Sequence, residues 1–305
     1  MITDVERKLV EIFCSLDDFF LIYGPELEKR RLAETPRKLN RQPQMCHSEI
    51  ASIVMMFHLC GYKDFKHYYT HCVLAQWRGY FPRLHSYNRF VERMSELIVP
   101  LGHYLIVSAQ NKCTGVSFVD STTLSVCHKR RIHNHKVFKD KAQRGRSSVD
   151  WFFGFKLHLI INEMGDILSF AFTPGNVHDA NPGLMSKLTK GLWGKLFGDK
   201  GYLSQKLFDG LFANGLQLVT KLKSNMKNRL MPLMDKLLLR KRAIIECVND
   251  ELKNNCMIEH TRHRKPENFI VNLFAGLAAY AFLPKKPCIN FTRNQRNVIN
   301  TKMIG

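Results

Sequence analysis

Two acidic residues stand where carboxylates could do chemistry. Asp120 follows the apolar run 116–119, and Asp199 follows the apolar run 192–197 inside the turn Gly198-Asp199-Lys200-Gly201-Tyr202. A carboxylate on a rigid strand is a good metal ligand, because packing fixes its position beforehand. Asp120 alone could equally be a strand-ending residue that begins a turn. Ligand sites in mixed sheets gather at the carboxyl ends of strands, so two acids at two strand ends favour a site.

A third acid is predicted on a long helix running from about Pro232 to Asn254. Arg242, Glu246 and Lys253 are four and seven residues apart, so they share one helical stripe. The neighbouring stripe is apolar and is expected to pack on the sheet: Ile245, Val248 and Leu252. A surface Glu–Arg pair would stabilise the helix by only about 0.3–0.5 kcal/mol. It would not explain why Glu246 borders the core.

The composition favours nucleic acid as the partner. There are 46 Lys+Arg against 26 Asp+Glu, giving a formal charge of +20 and a pI near 9.7. Such an excess repels itself unless it meets a polyanion. The alternative, an anionic membrane surface, has no support, because the longest apolar run, 269–283, is too short to span a bilayer. Nine cysteines without a Cys-x-x-Cys pair argue against disulfides and zinc and suit a reducing cytoplasm.

The first 110 residues are predicted to be helical. One helix spans Val5–Tyr23 and ends at Gly24-Pro25, and another begins at Ser48 as N-cap and ends near Gly61. A basic connector with two prolines separates them. Short helices with basic and aromatic surfaces suit a helix-turn-helix-like DNA reader. A helical packing subdomain is the alternative.

Strand patterns begin near residue 115. The runs 151–162 and 167–173 predict a hairpin, and 216–221 predicts a further strand after a helix at 204–213. A hairpin followed by alternating strand and helix implies a mixed sheet with parallel strands on one side. The segment 127–150 is strongly basic, so it is either an arm lying over phosphates or a solvated loop.

These residues together carry a resemblance to a known family. Asp120, the turn holding Asp199, and the series Arg242, Glu246, Lys253 resemble the DDE motif of bacterial insertion-sequence transposases. Three further segments resemble the insertion-sequence family numbered 982: Gly154-Phe155-Lys156-Leu157-His158, Pro174-Gly175-Asn176-Val177-His178-Asp179 and Arg262-His263-Arg264. The similarity covers nearly the whole chain.

The resemblance implies a fold and a reaction. The fold is α/β, a ribonuclease-H-like mixed sheet flanked by helices with an N-terminal all-helical domain. The reaction is cleavage at the ends of a mobile element and strand transfer into target DNA. Asp120, Asp199 and Glu246 would hold Mg²⁺ or Mn²⁺, two ions per active site, to activate the attacking oxygen and neutralise the leaving one.

The resemblance also implies an organisation. Residues 1–110 would bind DNA ends, 111–290 would form the catalytic domain with 127–150 as a basic insertion, and 291–305 would be a basic tail. DNA contacts are expected from Lys129, Arg130, Arg131, Lys156, Lys200, Arg242 and Lys253. The partners would be transposon terminal repeats and target DNA, with a homodimer to join two ends. The site of action would be the bacterial cytoplasm at the nucleoid, without membrane association.

Two residues depart from the expected pattern. Related families have Tyr where this chain has Leu239, and Asp150 interrupts the basic segment without an evident reason. Two other functions stay open on the sequence. One is a stand-alone ribonuclease-H-like nuclease or resolvase, and the other is a remnant that binds DNA without cutting it.

Overall fold

The chain forms two compact units in a computed structural model that describes residues 3–34, 44–109, 112–147, 150–221, 230–259 and 262–290. The helical unit comprises Met1–Ser108 and Glu251–Pro284, and the sheet unit comprises Ala109–Asp250 and Lys285–Gly305. The segment 251–284, expected in the catalytic domain, therefore groups with the N-terminal helices. The roles assigned to the domains stay predictions.

The elements follow one another in chain order. They are α1 (Asp4–Glu34), α2 (His47–Phe57), α3 (Phe65–Tyr68), α4 (Leu74–Gln76), α5 (Tyr87–Met94), α6 (Ile98–Ser108), β1 (Val116–Ser125), β2 (Gln143–Arg146), β3 (Trp151–Asn162), β4 (Ile167–Pro174), α7 (Pro182–Leu188), β5 (Gly194–Gly198), α8 (Gln205–Phe212), β6 (Leu216–Thr220), α9 (Leu233–Lys241), α10 (Ala243–Asp250) and α11 (Pro266–Tyr280). Short 3₁₀ turns cover Ser95–Leu97, Lys129–Asn134 and Lys200–Tyr202, and π-helical turns cover Tyr69–Val73 and Glu251–Asn255.

Two buried helices form the centre of the helical unit. Nearly every residue of α2 and α11 is buried, and α11 packs on both α2 and α6. A helix that is apolar all round must be enclosed by protein or lipid. The apolar run beginning at Phe269 is therefore a core helix. Among the described residues, no helix is both long and apolar enough to cross a membrane.

Two helix boundaries in this unit differ from the prediction. Helix α1 continues through Gly24-Pro25 to Glu34. Proline removes one backbone donor and usually ends a helix, but here Leu21, whose carbonyl loses that donor, is exposed to solvent. Helix α2 is capped at Cys46, whose backbone N–H donates to Glu49, and not at Ser48. The connector residues 35–43 lie outside the described residues.

The sheet unit has the predicted ribonuclease-H-like topology. The strands lie in the order β4-β3-β1-β5-β6, and β2 pairs with the beginning of β3. The pairs β4–β3 and β3–β1 are antiparallel, whereas β1–β5 and β5–β6 are parallel. The hairpin 151–162/167–173 and the strand at 216 are thus confirmed. The sheet is mixed, as the alternation of strand and helix indicated.

Helices cover both faces of this sheet. On one face, Val119 of β1 and Leu196 of β5 pack against α7 and α8 through Met185, Leu207 and Leu211. On the other face, α10 packs on β1. The predicted long helix is interrupted, because α9 and α10 meet at Arg242 and a π-helical turn follows Asp250. Ile245, Val248 and Leu252 are completely buried, as the apolar stripe predicted.

Candidate active site

The neighbouring central strands β1 and β5 bring Asp120 and Asp199 to the same side of the sheet, where their parallel pairing ends. The parallel pairing of these strands runs up to Phe118 opposite Phe197. Each acid lies two residues beyond its member of that pair, and Asp199 is near enough to Asp120 to raise the pKa of that carboxyl. Asp120 itself lies inside β1, which continues to Ser125 against β3. The prediction that Asp120 ends its strand is therefore wrong: only the parallel pairing with β5 stops near Asp120, and the antiparallel pairing with β3 continues the strand.

Helix α10 adds the third acid through Arg242. The Arg242 Nη2 atom donates to Glu246 Oε1 at 2.7 Å, and Nη1 lies 3.8 Å from Asp120 Oδ1. The Asn249 amide, one helical turn further on, donates to Asp120 Oδ2 at 3.2 Å. Glu246 keeps 58% of its side chain exposed. The arginine thus bridges a half-buried carboxylate on the sheet and an exposed one on the helix.

Ionisation of the Asp120 carboxyl is unfavourable in its partly buried position. Burial raises the pKa of its carboxyl from 3.8 to about 6. Asp199 and Glu246 raise this pKa too, whereas Arg242 and a hydrogen bond from the Ser121 backbone lower it. Like charges held close together in a poorly solvated place oppose ionisation. A cation at this edge would therefore be favoured.

The turn after β5 fixes Asp199. Its Oδ1 accepts from the Gly201 backbone at 2.6 Å, so the acid caps the 3₁₀ turn Lys200–Tyr202. Lys200 is exposed beside it, and Tyr202 is buried under the sheet with a hydroxyl that has no hydrogen-bond partner. Burial raises the pKa of Tyr202 well above 10. The turn therefore presents one carboxylate and one mobile cation to solvent.

The other predicted DNA-contacting residues differ in their exposure and in their ion pairs. Arg130 and Arg131 are exposed in the 3₁₀ turn at 129–134, and Lys129 pairs with Asp150. Lys253 pairs with Glu259 at 3.2 Å. Lys156 is buried, and its Nζ atom donates to Asp179 Oδ1 at 3.0 Å and to the Val177 carbonyl at 3.1 Å. Because this lysine is buried and paired, it is the weakest member of the predicted set.

Both departures from the family pattern have structural partners. Asp150 pairs with Lys129 and accepts a hydrogen bond from its neighbour's backbone, Trp151 N–H, at 2.6 Å. It therefore closes the base of the basic segment. Leu239 is buried in the face of α9 that meets the sheet. An apolar residue suits that place.

Sequence reasoning missed two features of the site. Asn249 gave no signal, since a single amide in a helix is unremarkable until its partner Asp120 is known. The second is a buried group joining two motifs that the sequence had singled out. His158 donates to or accepts from Thr173 Oγ1 at 2.9 Å, and its Nδ1 lies 3.8 Å from Asp179. Burial lowers the pKa of His158 to about 4.

The donor set fits a hard divalent cation in kind. Mg²⁺ and Mn²⁺ prefer carboxylate oxygens, and Asp120 has a raised pKa beside two further acids. As placed, no three His, Cys, Asp or Glu side chains among the described residues converge tightly enough to enclose a metal ion. Arg242 stands between Asp120 and Glu246 instead. Metal ligation by these acids thus requires Arg242 to yield its place.

The sheet is ribonuclease-H-like. Two of its central strands bring carboxylates together, and a helix with a third acid packs beside them. This combination indicates an enzyme that acts on nucleic acid backbones. Residues 110–266 match the profile of the family described as "Transposase DDE domain", which is more than half of the chain. The chain belongs to this family. It is therefore a transposase of the DDE class.

The chain was also compared with solved structures and with curated proteins. A piggyBac transposase synaptic complex with hairpin DNA, solved by cryo-electron microscopy, is similar over 95% of this chain and 80% of that chain, with 13% sequence identity and a TM-score of 0.44. No curated protein matches the sequence.

Proposed function

We propose that this transposase cleaves DNA strands at insertion-sequence ends and joins them to target DNA, in the manner of the insertion-sequence family 982. One observation carries the proposal: β1, β5 and α10 bring Asp120, Asp199 and Glu246 to one edge, and Arg242 contacts two of these acids. Strand cleavage by water, followed by attack of the freed 3′-hydroxyl on target DNA, needs one such centre and no covalent protein–DNA intermediate.

Each group at this edge has a proposed role. Asp120, Asp199 and Glu246 would hold Mg²⁺ or Mn²⁺, two ions per site, which when bound supply charge neutralisation at the attacking and leaving oxygens. Asn249 keeps Asp120 oriented through its amide. Arg242 would release Glu246 and bind the scissile phosphate, for which its planar fork is suited. Lys200 would hold a neighbouring phosphate, and Lys253, which belongs to the helical unit, is proposed to contact DNA from that unit.

The basic segment and the helical unit would bind DNA outside the active centre. Arg130 and Arg131 project from the 129–134 turn, and the Lys129–Asp150 pair ties its base. The N-terminal helices would read the terminal repeats. A homodimer would hold two ends together. The basic tail 291–305, which lies outside the described residues, is proposed to add phosphate contacts.

The direct test uses purified protein, labelled duplexes carrying the element's terminal repeats, and Mg²⁺. Strand transfer products are expected from the wild type and none from Asp199→Asn. Asp209→Asn, which changes an exposed acid of α8, is the matched control and should act normally. Structure-dependent nicking without transfer would instead indicate a nuclease, and binding alone would indicate a non-cutting remnant.

Metal dependence follows from the donor set. Because all three proposed ligands are carboxylates, Mg²⁺ or Mn²⁺ should support cleavage, and Ca²⁺ should permit DNA binding without turnover. Full cleavage in excess EDTA would contradict metal ligation by these acids.

A further inference from the structure

A small pocket in the helical unit, here named the lysine pocket, lies where several segments of that unit meet. Its lining includes Lys63, Asp64, Lys66, Tyr87, Arg262 and Asn272. Asp64 caps α3 by accepting from the His67 backbone N–H at 2.9 Å, which sets the lysines before and after it around the opening. Arg262 belongs to the Arg262-His263-Arg264 motif, which has no assigned role in the candidate active site.

The floor of the lysine pocket contains a buried amide. Asn272 of α11 is 1% exposed, and among the described residues neither its Nδ2 nor its Oδ1 atom makes a hydrogen bond of good geometry, although the amide lies close enough to the His263 ring to raise its pKa. Buried amides are nearly always paired, so an unpaired one calls for an explanation. His263 also lines the pocket, and burial lowers its pKa more than the neighbouring Asn272 side chain raises it. The floor therefore offers neutral donors to a ligand that accepts hydrogen bonds.

The mouth of the lysine pocket is positively charged. Lys63 and Lys66 flank it, and the Arg262 side chain is 84% exposed. The Lys66 ammonium lies 5.9 Å from the centre of the Tyr87 ring, which holds it over the opening. Asp64 is the one acid among the described residues of the lining, and it is occupied by its helix cap and by Arg262 at 3.5 Å. An anion is thus the favoured occupant.

The volume of the pocket narrows the choice of anion. The cavity measures about 40 Å³, and a water molecule needs roughly 10–15 Å³ on this measure. The space therefore takes about three oxygen-sized groups. That matches the oxygens of one phosphate group and is too small for a planar base.

We propose that the lysine pocket binds one phosphodiester group of the DNA backbone. Lys63 and Lys66 neutralise its charge, Arg262 donates to it from the rim, and Asn272 Nδ2 donates from the floor. The proposal rests on the proposed function in so far as DNA supplies the phosphate. It assigns to the helical unit a fixed phosphate contact that positions DNA without reading bases.

The first test measures DNA affinity of the full chain as a function of salt. Lys63→Ala/Lys66→Ala should weaken binding and reduce the slope of log K against log salt by about one unit, because both lysines act on a single phosphate. Lys187→Ala/Lys206→Ala is the control: it removes the same charge from α7 and α8 of the sheet unit, where both lysines are exposed. An unchanged slope, or an equal loss in the control, would overturn the proposal.

The second test separates binding from folding. Asn272→Leu replaces a buried amide by an apolar group of similar size, so the melting temperature should hold or rise while DNA affinity falls at least threefold. A lower melting temperature with unchanged DNA affinity would make Asn272 a structural residue and remove it from the site.

The third test distinguishes the source of the phosphate. Inorganic phosphate alone should bind weakly to the wild type and compete with DNA. In Lys63→Ala/Lys66→Ala the added phosphate should no longer reduce DNA binding. If phosphate binds the pocket while DNA affinity is the same in both proteins, the ligand is free phosphate and the DNA assignment is wrong. Failure of the proposed function would look different, since wild-type protein would bind DNA with the full salt slope yet produce no cut strands.

Discussion

At the scale of single residues, Arg242 balances the charge of the candidate site. Asp120 lies half-buried beside Asp199 and Glu246, and its raised pKa records the resulting cost of ionisation. Arg242 lies close to Asp120 and forms an ion pair with Glu246. A guanidinium can hold such acids together until a metal ion and a phosphate replace it. Arg242 therefore neutralises the acids in the absence of metal, and it is also a proposed phosphate ligand.

The first prediction concerns Glu246. Glu246→Gln keeps the shape of the side chain but weakens metal coordination, and losing about 3 kcal/mol of transition-state stabilisation would slow cleavage roughly 100-fold. Binding to element ends should survive, because the change removes negative charge near DNA. Cleavage and binding assays on the same labelled ends would measure both effects.

Glu251→Gln is the matched control. The helix turns about 100° per residue, so Glu251 would lie roughly 140° round an unbroken helix from Glu246. It begins the π-helical turn and accepts from the Asn255 side chain. Cleavage should continue at nearly the wild-type rate. A dead Glu251→Gln enzyme beside an active Glu246→Gln one would refute the assignment.

At the scale of elements, most of the sheet was predictable, but the strand β2, the end of β1 and the helix ends were not. The hairpin and the strands leading to Asp120 and Asp199 follow from apolar runs and glycine turns, which are local signals. Helix α1 passes Pro25 at a place where Leu21, whose carbonyl loses its donor, is exposed to solvent. Ser48 lies inside α2 because its hydroxyl donates to Asp17 on another helix at 2.8 Å. Local signals contain no information about such distant partners.

The same limit applies to the candidate site. Asp120, Asp199 and Glu246 stand out by their place in local patterns and by a family resemblance. Asn249 and Asp179 act through residues far away in the chain, Asp120 and Lys156, so only the folded structure reveals them. The division of the chain likewise depends on α11, whose all-round burial among α2 and α6 is a property of tertiary packing.

The second prediction concerns the glycine of the motif beginning at Gly154. A Cβ atom there would lie 2.1 Å from the Leu124 carbonyl oxygen, because β1 and β3 approach closely at this point. Gly154→Ala should therefore destabilise the protein by about 3 kcal/mol or more. Gly210→Ala, in α8 with open space around it, is the control and should stabilise by about 0.5–1 kcal/mol. Thermal unfolding of both variants compares them, and equal melting temperatures would contradict the close approach.

The third prediction concerns the basic segment 127–150. If its 3₁₀ turn tracks phosphates, Lys129→Ala/Arg130→Ala/Arg131→Ala should weaken DNA binding similarly for all sequences. The salt slope should fall by roughly one unit per lost phosphate contact. Lys187→Ala/Lys190→Ala/Lys206→Ala is the control, because it removes equal charge from exposed positions in and near α7 and α8 and should leave the slope unchanged. If the slope survives the first triple change, the segment is a solvated basic loop.

At the scale of the whole molecule, charge and burial act on stability in different ways. The formal charge of +20 disfavours the compact state by self-repulsion, which bound DNA would relieve. Each unit also buries a histidine at full depth, His58 in the helical unit and His158 in the sheet unit. Salt and DNA should therefore stabilise the protein, whereas acid should act on the buried histidines.

The fourth prediction is that stability falls as the pH drops from about 6.5 to 4. Burial lowers the pKa of both His58 and His158 to about 4, so the folded protein keeps them neutral while the unfolded chain takes up protons below pH 6.5. The unfolded state then binds more protons, and the unfolding free energy rises with pH in this window, by about 1.4 kcal/mol per pH unit for each histidine. Asp120 opposes this between pH 6 and 3.8, because its raised pKa makes the folded state bind the extra proton there.

The two histidines outweigh the one aspartate, and burial also lowers the pKa of His85 and His263, so stability falls on acidification. Denaturant unfolding of the free protein at pH 7, 6, 5 and 4 would measure it. His58→Leu should flatten the pH dependence by removing one of the two groups, at some cost in stability at pH 7, because the His58 ring bonds to the Cys256 carbonyl. His71→Gln, at an exposed position, should leave the slope intact. A wild-type unfolding free energy that stays constant from pH 6.5 to 5 would show that neither histidine is held neutral by the fold.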